Sequence, residues 1–251
     1  MTDPRLIVTA DDLGADAVIN RAIVGSLRDG QATHASLLVN MAGFEEACAL
    51  AHQAHLADRI GLHLNLTEGQ PISTAMRDCP RFCTDGIFRF PARFSGLVPL
   101  TRPQAGAAAD EIRQQIILAR EQGFPLTHLD SHHHIHAELS MSAVVLSVAR
   151  EMSIPRVRPA SNCGTGNGPV RRFRHAAYNG RLSASGLRAT QYFGSIDDVV
   201  WMWTQPAAER DRSAEVMIHP TSGLDGIVLD GTTVQPLAQK LSELHAARAR
   251  A

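Results

Sequence analysis

Four separate apolar runs in this chain stop at aspartate or histidine. Leu6–Thr9 runs into Ala10-Asp11-Asp12, and Gly61-Leu62-His63-Leu64-Asn65 lies in or at the end of a second run. His128-Leu129-Asp130-Ser131-His132 and Met217-Ile218-His219-Pro220 close two more. Segments with helical spacing separate the runs: at 15–28, for example, Val18, Ile19, Ala22, Ile23 and Leu27 share one side. Strands alternating with helices imply a parallel sheet or barrel, because parallel strands need a crossover. In barrels the reactive residues gather at the C-terminal ends of strands. The runs and their endings therefore predict the same architecture twice: an α/β fold built on a parallel sheet or barrel.

The spacing predicts strands at 6–9, 36–40, 60–66, 126–130 and 215–218, with a short one at 154–157 weakened by Pro155. It predicts helices at 15–28, 43–53, 104–121, 142–152, 170–187 and 234–249. Residues 162–169 read as a Gly-rich loop. Residues 69–101 are rich in Pro, Gly and Phe without clear periodicity, and read as an insertion or lid. With no internal repeat and no linker, residues 1–251 read as one domain, a length that one α/β barrel fills.

A formal net charge of −1 gives no electrostatic footprint for nucleic acid or an anionic membrane. There is no run of 18 apolar residues and no basic start followed by an apolar stretch. The expectation is accordingly no membrane span, no signal peptide and a cytoplasmic location. Cys48, Cys79, Cys83 and Cys163 match no zinc-ribbon spacing and read as reduced thiols. A homodimer is the default oligomer.

Five of the twelve histidines fall between His128 and His136. Strand alternation puts His128, Asp130 and His132 on one face, with His134 and His136 following if the chain stays extended, and His133 on the other. Two histidines plus a carboxylate with an open position form a catalytic metal set. Asp130 is placed to orient one histidine through a hydrogen bond. Asp11 and Asp12 are adjacent carboxylates that repel unless a cation lies near, although an aspartate here also suits a helix N-cap. His63 and His219 would each be a structural histidine if met alone, and their company makes them candidates. Asn65 shares the face of His63 and is a candidate to hold a substrate amide or hydroxyl. The Arg-rich stretch 171–188 reads first as a solvated helix face.

At these residues the chain resembles the YdjC-like carbohydrate deacetylase family, which includes chitooligosaccharide and hopanoid-associated deacetylases. The matching stretches are IVTADDLG at 7–14, GLHLNLTEG at 61–69, THLDSHHHIH at 127–136 and EVMIHP at 215–220. The third is the most specific. The family usually has Phe where this chain has Leu13, and 162–193 departs from the chitooligosaccharide enzymes. The resemblance implies a distorted (β/α) TIM-like barrel that hydrolyses the N-acetyl group of an N-acetylglucosamine-type sugar or glycoconjugate. It implies a divalent metal, Mg²⁺ by family, held by Asp12, His63 and His132. Two imidazoles would ordinarily favour Zn²⁺ or another transition metal. It further implies Asp11 as general base and His219 as acid, with Asn65, Asp130 and His134 as substrate-binding or supporting residues.

Two other readings compete. An amidohydrolase or phosphoesterase would share the metal, but a carbamylated-lysine site is disfavoured because the single lysine, Lys240, lies in the last helix. A non-catalytic sugar- or metal-binding barrel predicts a missing catalytic residue, and none of the five is missing.

Overall fold

The computed structural model describes residues 5–89, 98–164, 166, 168–205, 212–223 and 227–249. In chain order the elements are β1 (Leu6–Leu13), α1 (Ala17–Arg28), β2 (His34–Leu37), α2 (Phe44–Gln53), β3 (Ile60–Leu64), α3 (Thr74–Arg77), β4 (Cys83–Thr84), β5 (Ile87–Phe88), α4 (Arg102–Glu121) and β6 (Leu129–Ser131). They continue with α5 (Leu139–Glu151), α6 (Pro169–Ala184), β7 (Tyr192–Ser195), α7 (Ile196–Thr204), β8 (Ala214–Ile218), β9 (Pro220–Ser222), β10 (Val228–Asp230), β11 (Gln235–Pro236) and α8 (Leu237–Ala249).

Six strands form one parallel sheet in the order β6-β3-β2-β1-β8-β7. The sheet curls, because one segment bonds to both of its edges. Val157 bridges to Leu129 in β6, Arg156 bridges to Arg188 ahead of β7, and Asn162 N donates to Phe193 O at 3.2 Å. The parallel α/β expectation thus holds as a curled six-stranded sheet covered by helices.

Strand alternation sorts the two faces. Val8, Ala10, Ala35, Leu37, Leu62, Leu64, Leu129, Val216 and Ile218 are buried in the core beneath the helices. Thr9, Asp11, Ser36, His63, Asp130 and Glu215 take the alternate positions, are buried, and join Arg158 on the concave side. This face is polar yet almost wholly buried. Gly61 is what permits its crowding: a Cβ there would lie 2.3 Å from His128 Nδ1.

Local signals explain the helix starts. Asp16 caps α1 by accepting from Val18 N and Ile19 N. Thr101 and Gln104 form a capping box at α4, and Ser195 and Asp198 form another at α7. The β7–α7 unit was absent from the sequence expectation, although Ser-Ile-Asp-Asp is a readable capping signature. The strand expected to end at Thr9 continues to Leu13: β8 pairs with it as far as Ala10, and Leu13 pairs with Leu37 of β2.

The segment 69–101 is less loop-like than its composition suggests. Its described part holds α3 and the β4–β5 hairpin, and Met76, Phe82 and Phe88 enter the main core. Residues 90–97 of that expectation lie outside the described residues. All four cysteines are free and buried. No described helix is long and apolar enough to cross a membrane.

Candidate metal centre

Asp11 and Asp12 separate because β1 is irregular between them and the strand end. Three steps from Ala10 to Leu13 face two steps from Ala35 to Leu37, and Asp12 has φ 72°. A bulge of this kind re-aims a side chain, often beside an active site. Asp11 is buried in the concave face, whereas Asp12 turns to the partly open rim.

At the rim, Asp12 Oδ1 lies 3.2 Å from His63 Nε2 and 2.9 Å from His132 Nδ1. His63 is held from behind: its Nδ1 lies 2.7 Å from Asp130 Oδ1 and 3.0 Å from Ser36 Oγ. A ligating histidine commonly has such a carboxylate on its other nitrogen, which fixes ring orientation and basicity. In the neighbouring cavity of about 360 Å³, His219 lines the wall with Asp11, Asp12 and Thr232. Its Nδ1 is 3.1 Å from Thr232 Oγ1. The structure therefore brings together all five residues singled out at the strand ends.

Beneath the rim lies a group the sequence reading missed. Arg158, fully buried, donates Nη1 and Nη2 to the two oxygens of Asp11, each at 2.7 Å, and Nε to Glu215 Oε1 at 2.8 Å. Its Nη2 also pairs with Asp130 Oδ2 at 2.6 Å. Arg156 reaches the other oxygen of Glu215 at 2.6 Å, and Thr9 Oγ1 donates to Glu215 at 3.1 Å. The available signal was alternation: Arg156-Val157-Arg158 puts two arginines on one face of a short run, and Glu215 interrupts an apolar one.

The electrostatics follow from this packing. Burial would raise the Asp11 and Asp12 carboxyls, but Arg158 beside Asp11 and the hydrogen bonds from His132 and His63 to Asp12 hold both well below the usual range. Glu215 is pulled down to about 2, since Arg156 and Arg158 outweigh its burial. His63 goes the other way. Burial would lower it, but the charge of Asp130 and the bonds to Asp12 and Asp130 raise it to about 10. Burial lowers His134 to about 3, helped by Arg158.

Counting these charges shows what the site lacks. Four carboxylates (Asp11, Asp12, Asp130 and Glu215) face two guanidiniums (Arg156 and Arg158). Two negative charges remain with all four carboxylates ionised, although burial pushes the Asp130 carboxyl up from its usual range. A protonated His63 offsets only one of them. A dication bound to a neutral His63 offsets both, so the donor set and the charge deficit fit a divalent metal held by Asp12, His63 and His132. Those three residues form one of the clusters whose ligand atoms converge within 4.8 Å. Asp11, His63 and Asp130 form another, but there the Arg158 guanidinium already serves as cation.

Several sequence expectations need correction. The extended chain stops at Ser131, and His132–Ala137 is a 3₁₀ turn with His133 at φ 53° and His134 at φ 54°. The turn closes on Ser131 Oγ, which accepts from His136 N at 2.9 Å. His133 therefore does not point away from His132, and their ring centroids are 4.0 Å apart. His134 turns instead toward Phe193 and a separate cavity of about 540 Å³. Asn65 is fully buried and committed to its own loop. Its Oδ1 accepts from Thr67 N, Thr67 Oγ1 and Glu68 N, and its Nδ2 donates to Asn40 Oδ1 and Glu68 O. No donor or acceptor is left over for a substrate. Lys240 pairs with Asp197 and Glu243, which removes it from the site.

Comparison with known proteins fits this geometry. A family model described as YdjC-like protein matches residues 5–248. A carbohydrate deacetylase of Brevibacillus brevis is 40% identical over 151 residues, 60% of this chain; the match spans 58% of that relative, less than two thirds of its length. A chitooligosaccharide deacetylase of Klebsiella pneumoniae (strain 342) is 30% identical over 252 residues, covering 98% of this chain and 92% of that one. A solved structure from Enterococcus faecalis V583, provisionally named a cellobiose-phosphate cleavage protein, superposes with a TM-score of 0.68 at 20% identity, over 97% of this chain and 90% of its own. At that identity the likeness concerns the fold.

Proposed function

This chain belongs to the YdjC-like protein family, and from that premise we propose that it is a metal-dependent hydrolase removing the N-acetyl group from an N-acetylglucosamine-type carbohydrate or glycoconjugate. The observation that carries the metal dependence is the deficit of two charges across floor and rim, one of them on Asp12 where it converges with His63 and His132. The names of the relatives support the reaction class. In this reading the whole chain works as one domain, a distorted (β/α) barrel whose gap is spanned by 156–162.

Asp12, His63 and His132 would hold a divalent ion, which would supply Lewis acidity for the acetyl carbonyl and for water. One carboxylate and two imidazoles suit a transition-metal dication better than Mg²⁺. Asp11 takes a proton from the attacking water. The Arg158 fork occupies one lone pair on each Asp11 oxygen and fixes its plane, and Ser36 Oγ donates to Oδ1 at 3.3 Å, which leaves Oδ2 as the oxygen to take the proton. His219, held through Nδ1 by Thr232, gives a proton to the departing nitrogen. The new bond joins water oxygen to the acetyl carbon, the C–N bond breaks, and acetate and a free amine leave. Each proton transfer contributes about 10²–10⁴-fold.

The test is acetate release from a panel of N-acetylglucosamine conjugates by chelated protein resupplied with Mg²⁺, Zn²⁺, Co²⁺ or Ni²⁺. Release restored by metal and lost in Asp11→Asn, with bound metal retained, is the expected result. Metal-loaded protein inert towards every conjugate would turn the assignment towards another hydrolytic reaction.

A further inference from the structure

The cavity of about 540 Å³ beyond the 3₁₀ turn has no part in the reaction above. It begins just past His132, with His134 and His136 of the turn on one wall and the start of α6 on another. Small-ligand pockets span about 300–1,000 Å³, so the space suits a group that continues from a substrate seated at the rim. Its wall holds several donors that nothing in the fold satisfies.

The first is on His136, which is fully buried. Ser131 Oγ accepts from His136 N at 2.9 Å and lies 2.6 Å from His136 Nδ1, and no other described residue takes the hydroxyl hydrogen. Ser131 therefore donates to Nδ1, and the ring carries its own hydrogen on Nε2. That buried Nε2 has no partner among the described residues. Buried polar groups are nearly always hydrogen-bonded, so a lone donor on a cavity wall marks a place for an acceptor. The next donors are at the start of α6. Gly168 is its N-cap and gives no side-chain bond, although a Cβ there would meet only open space. A Ser, Thr or Asp would cap the helix. With glycine, Val170 N and Arg171 N have no acceptor among the described residues, at the positive end of a 16-residue helix.

Arg171 supplies the charge. His175 donates from Nδ1 to Ser161 O at 2.7 Å, so its Nε2 accepts from Arg171 Nε at 3.4 Å. This contact steadies the guanidinium and leaves both Nη atoms without a partner among the described residues. Arg174, one turn on, is neutralised by Glu138. The wall thus keeps one uncompensated positive charge, carried on a free fork. A carboxylate matches it in charge and in the spacing of its two oxygens. A phosphate monoester carries about 1.5–2 negative charges and would be left partly uncompensated.

We propose that this cavity is a subsite for a sugar carboxylate, so that the substrate is an acidic glycoconjugate in which a uronate-type residue adjoins the N-acetylglucosamine-type sugar. Arg171 takes the carboxylate through its two Nη atoms beside the free N–H groups of α6, and His136 Nε2 donates to another oxygen of the same sugar. Arg171 is then the residue that sets specificity. The link to an N-acetylated neighbour rests on the deacetylase reading of the rim, whereas the carboxylate site does not.

Titration of metal-free protein with methyl glucuronoside, methyl glucoside and a phosphorylated methyl glucoside, followed by NMR, tests the subsite without turnover. The glucuronoside should bind about tenfold more tightly than the neutral glucoside, the worth of one hydrogen-bonded charge, and should shift the ring nitrogen signals of His136. Arg171→Gln should lose that preference, and Arg171→Lys, which keeps the charge without the fork, should keep part of it. In acetate release, Arg171→Gln should narrow the ratio of kcat/KM between uronate-bearing and neutral conjugates. Equal affinity for the glucuronoside and the neutral glucoside, or a preference that survives Arg171→Gln, overturns the proposal. Tighter binding of the phosphorylated glucoside overturns the assignment to a carboxylate. A carboxylate preference lost in Arg171→Gln, with no acetate released from any conjugate, would support the subsite and overturn the deacetylase reading alone.

Discussion

Asp11 and Asp12 are neighbours in the chain, yet they belong to two sets of charge balanced in opposite ways. The floor, formed by Asp11, Asp130, Glu215, Arg156 and Arg158, carries its own cations on fork-shaped side chains that satisfy several oxygens at once. The rim, formed by Asp12, His63 and His132, has converging acceptors and no arginine. One layer separates a site whose charge is mostly offset by folding from a site left to be offset by binding. Asp130 joins them, with Oδ2 on Arg158 and Oδ1 on His63.

The sharpest break of this contrast is Arg158→Leu. It leaves three buried carboxylates short of a cation and should cost about 3–5 kcal/mol in chemical denaturation. Asp12→Ala should instead abolish metal retention while shifting the stability of the metal-free protein by only about 1 kcal/mol. Similar losses in the two variants would mean that rim and floor are one structural unit. Asp130→Asn probes the joint between them and should weaken metal binding by about 10–100-fold, read by competition with a chelator. An unchanged affinity would mean that His63 needs no support from behind.

A further test is one of pH. His63 is raised from 6.5 to about 10 in the folded metal-free protein, against the lowering effect of burial, by Asp130, Asp12 and Asp11. Its contribution to stability is complete below pH 6.5 and disappears as pH rises through about 10. The melting temperature of chelated protein should fall across that window. Metal binding displaces the same proton, so affinity should rise with pH, by at most about tenfold per unit for one proton. A flat melting profile for chelated protein would place the His63 proton elsewhere.

Much of the site was visible before any fold. A reactive residue directly after an apolar run sits at a strand end in a parallel α/β chain, and Asp11, Asp12, His63, Asp130 and His219 could be found on that rule alone. His132 followed from extending β6 by one residue beyond its true end. The rule failed where the backbone stopped being a strand. Past Ser131 the 3₁₀ turn reversed the facing of His133, sent His134 to another cavity, and made Glu68 a neighbour of both His132 and His133.

What the sequence determined by itself was local: the alternation of strand and helix, the caps at Asp16 and Thr101, and the side chains at the strand ends. Periodicity and capping act within a few residues, and a single chain records them. The tertiary structure decided how the charges pair. Asp11 was satisfied from 147 residues away by Arg158, Asn65 was consumed by its own loop, and Asp12 was left for an outside cation. Pairing of this kind depends on which strands lie side by side and how far the sheet curls, and spacing along the chain carries no record of either.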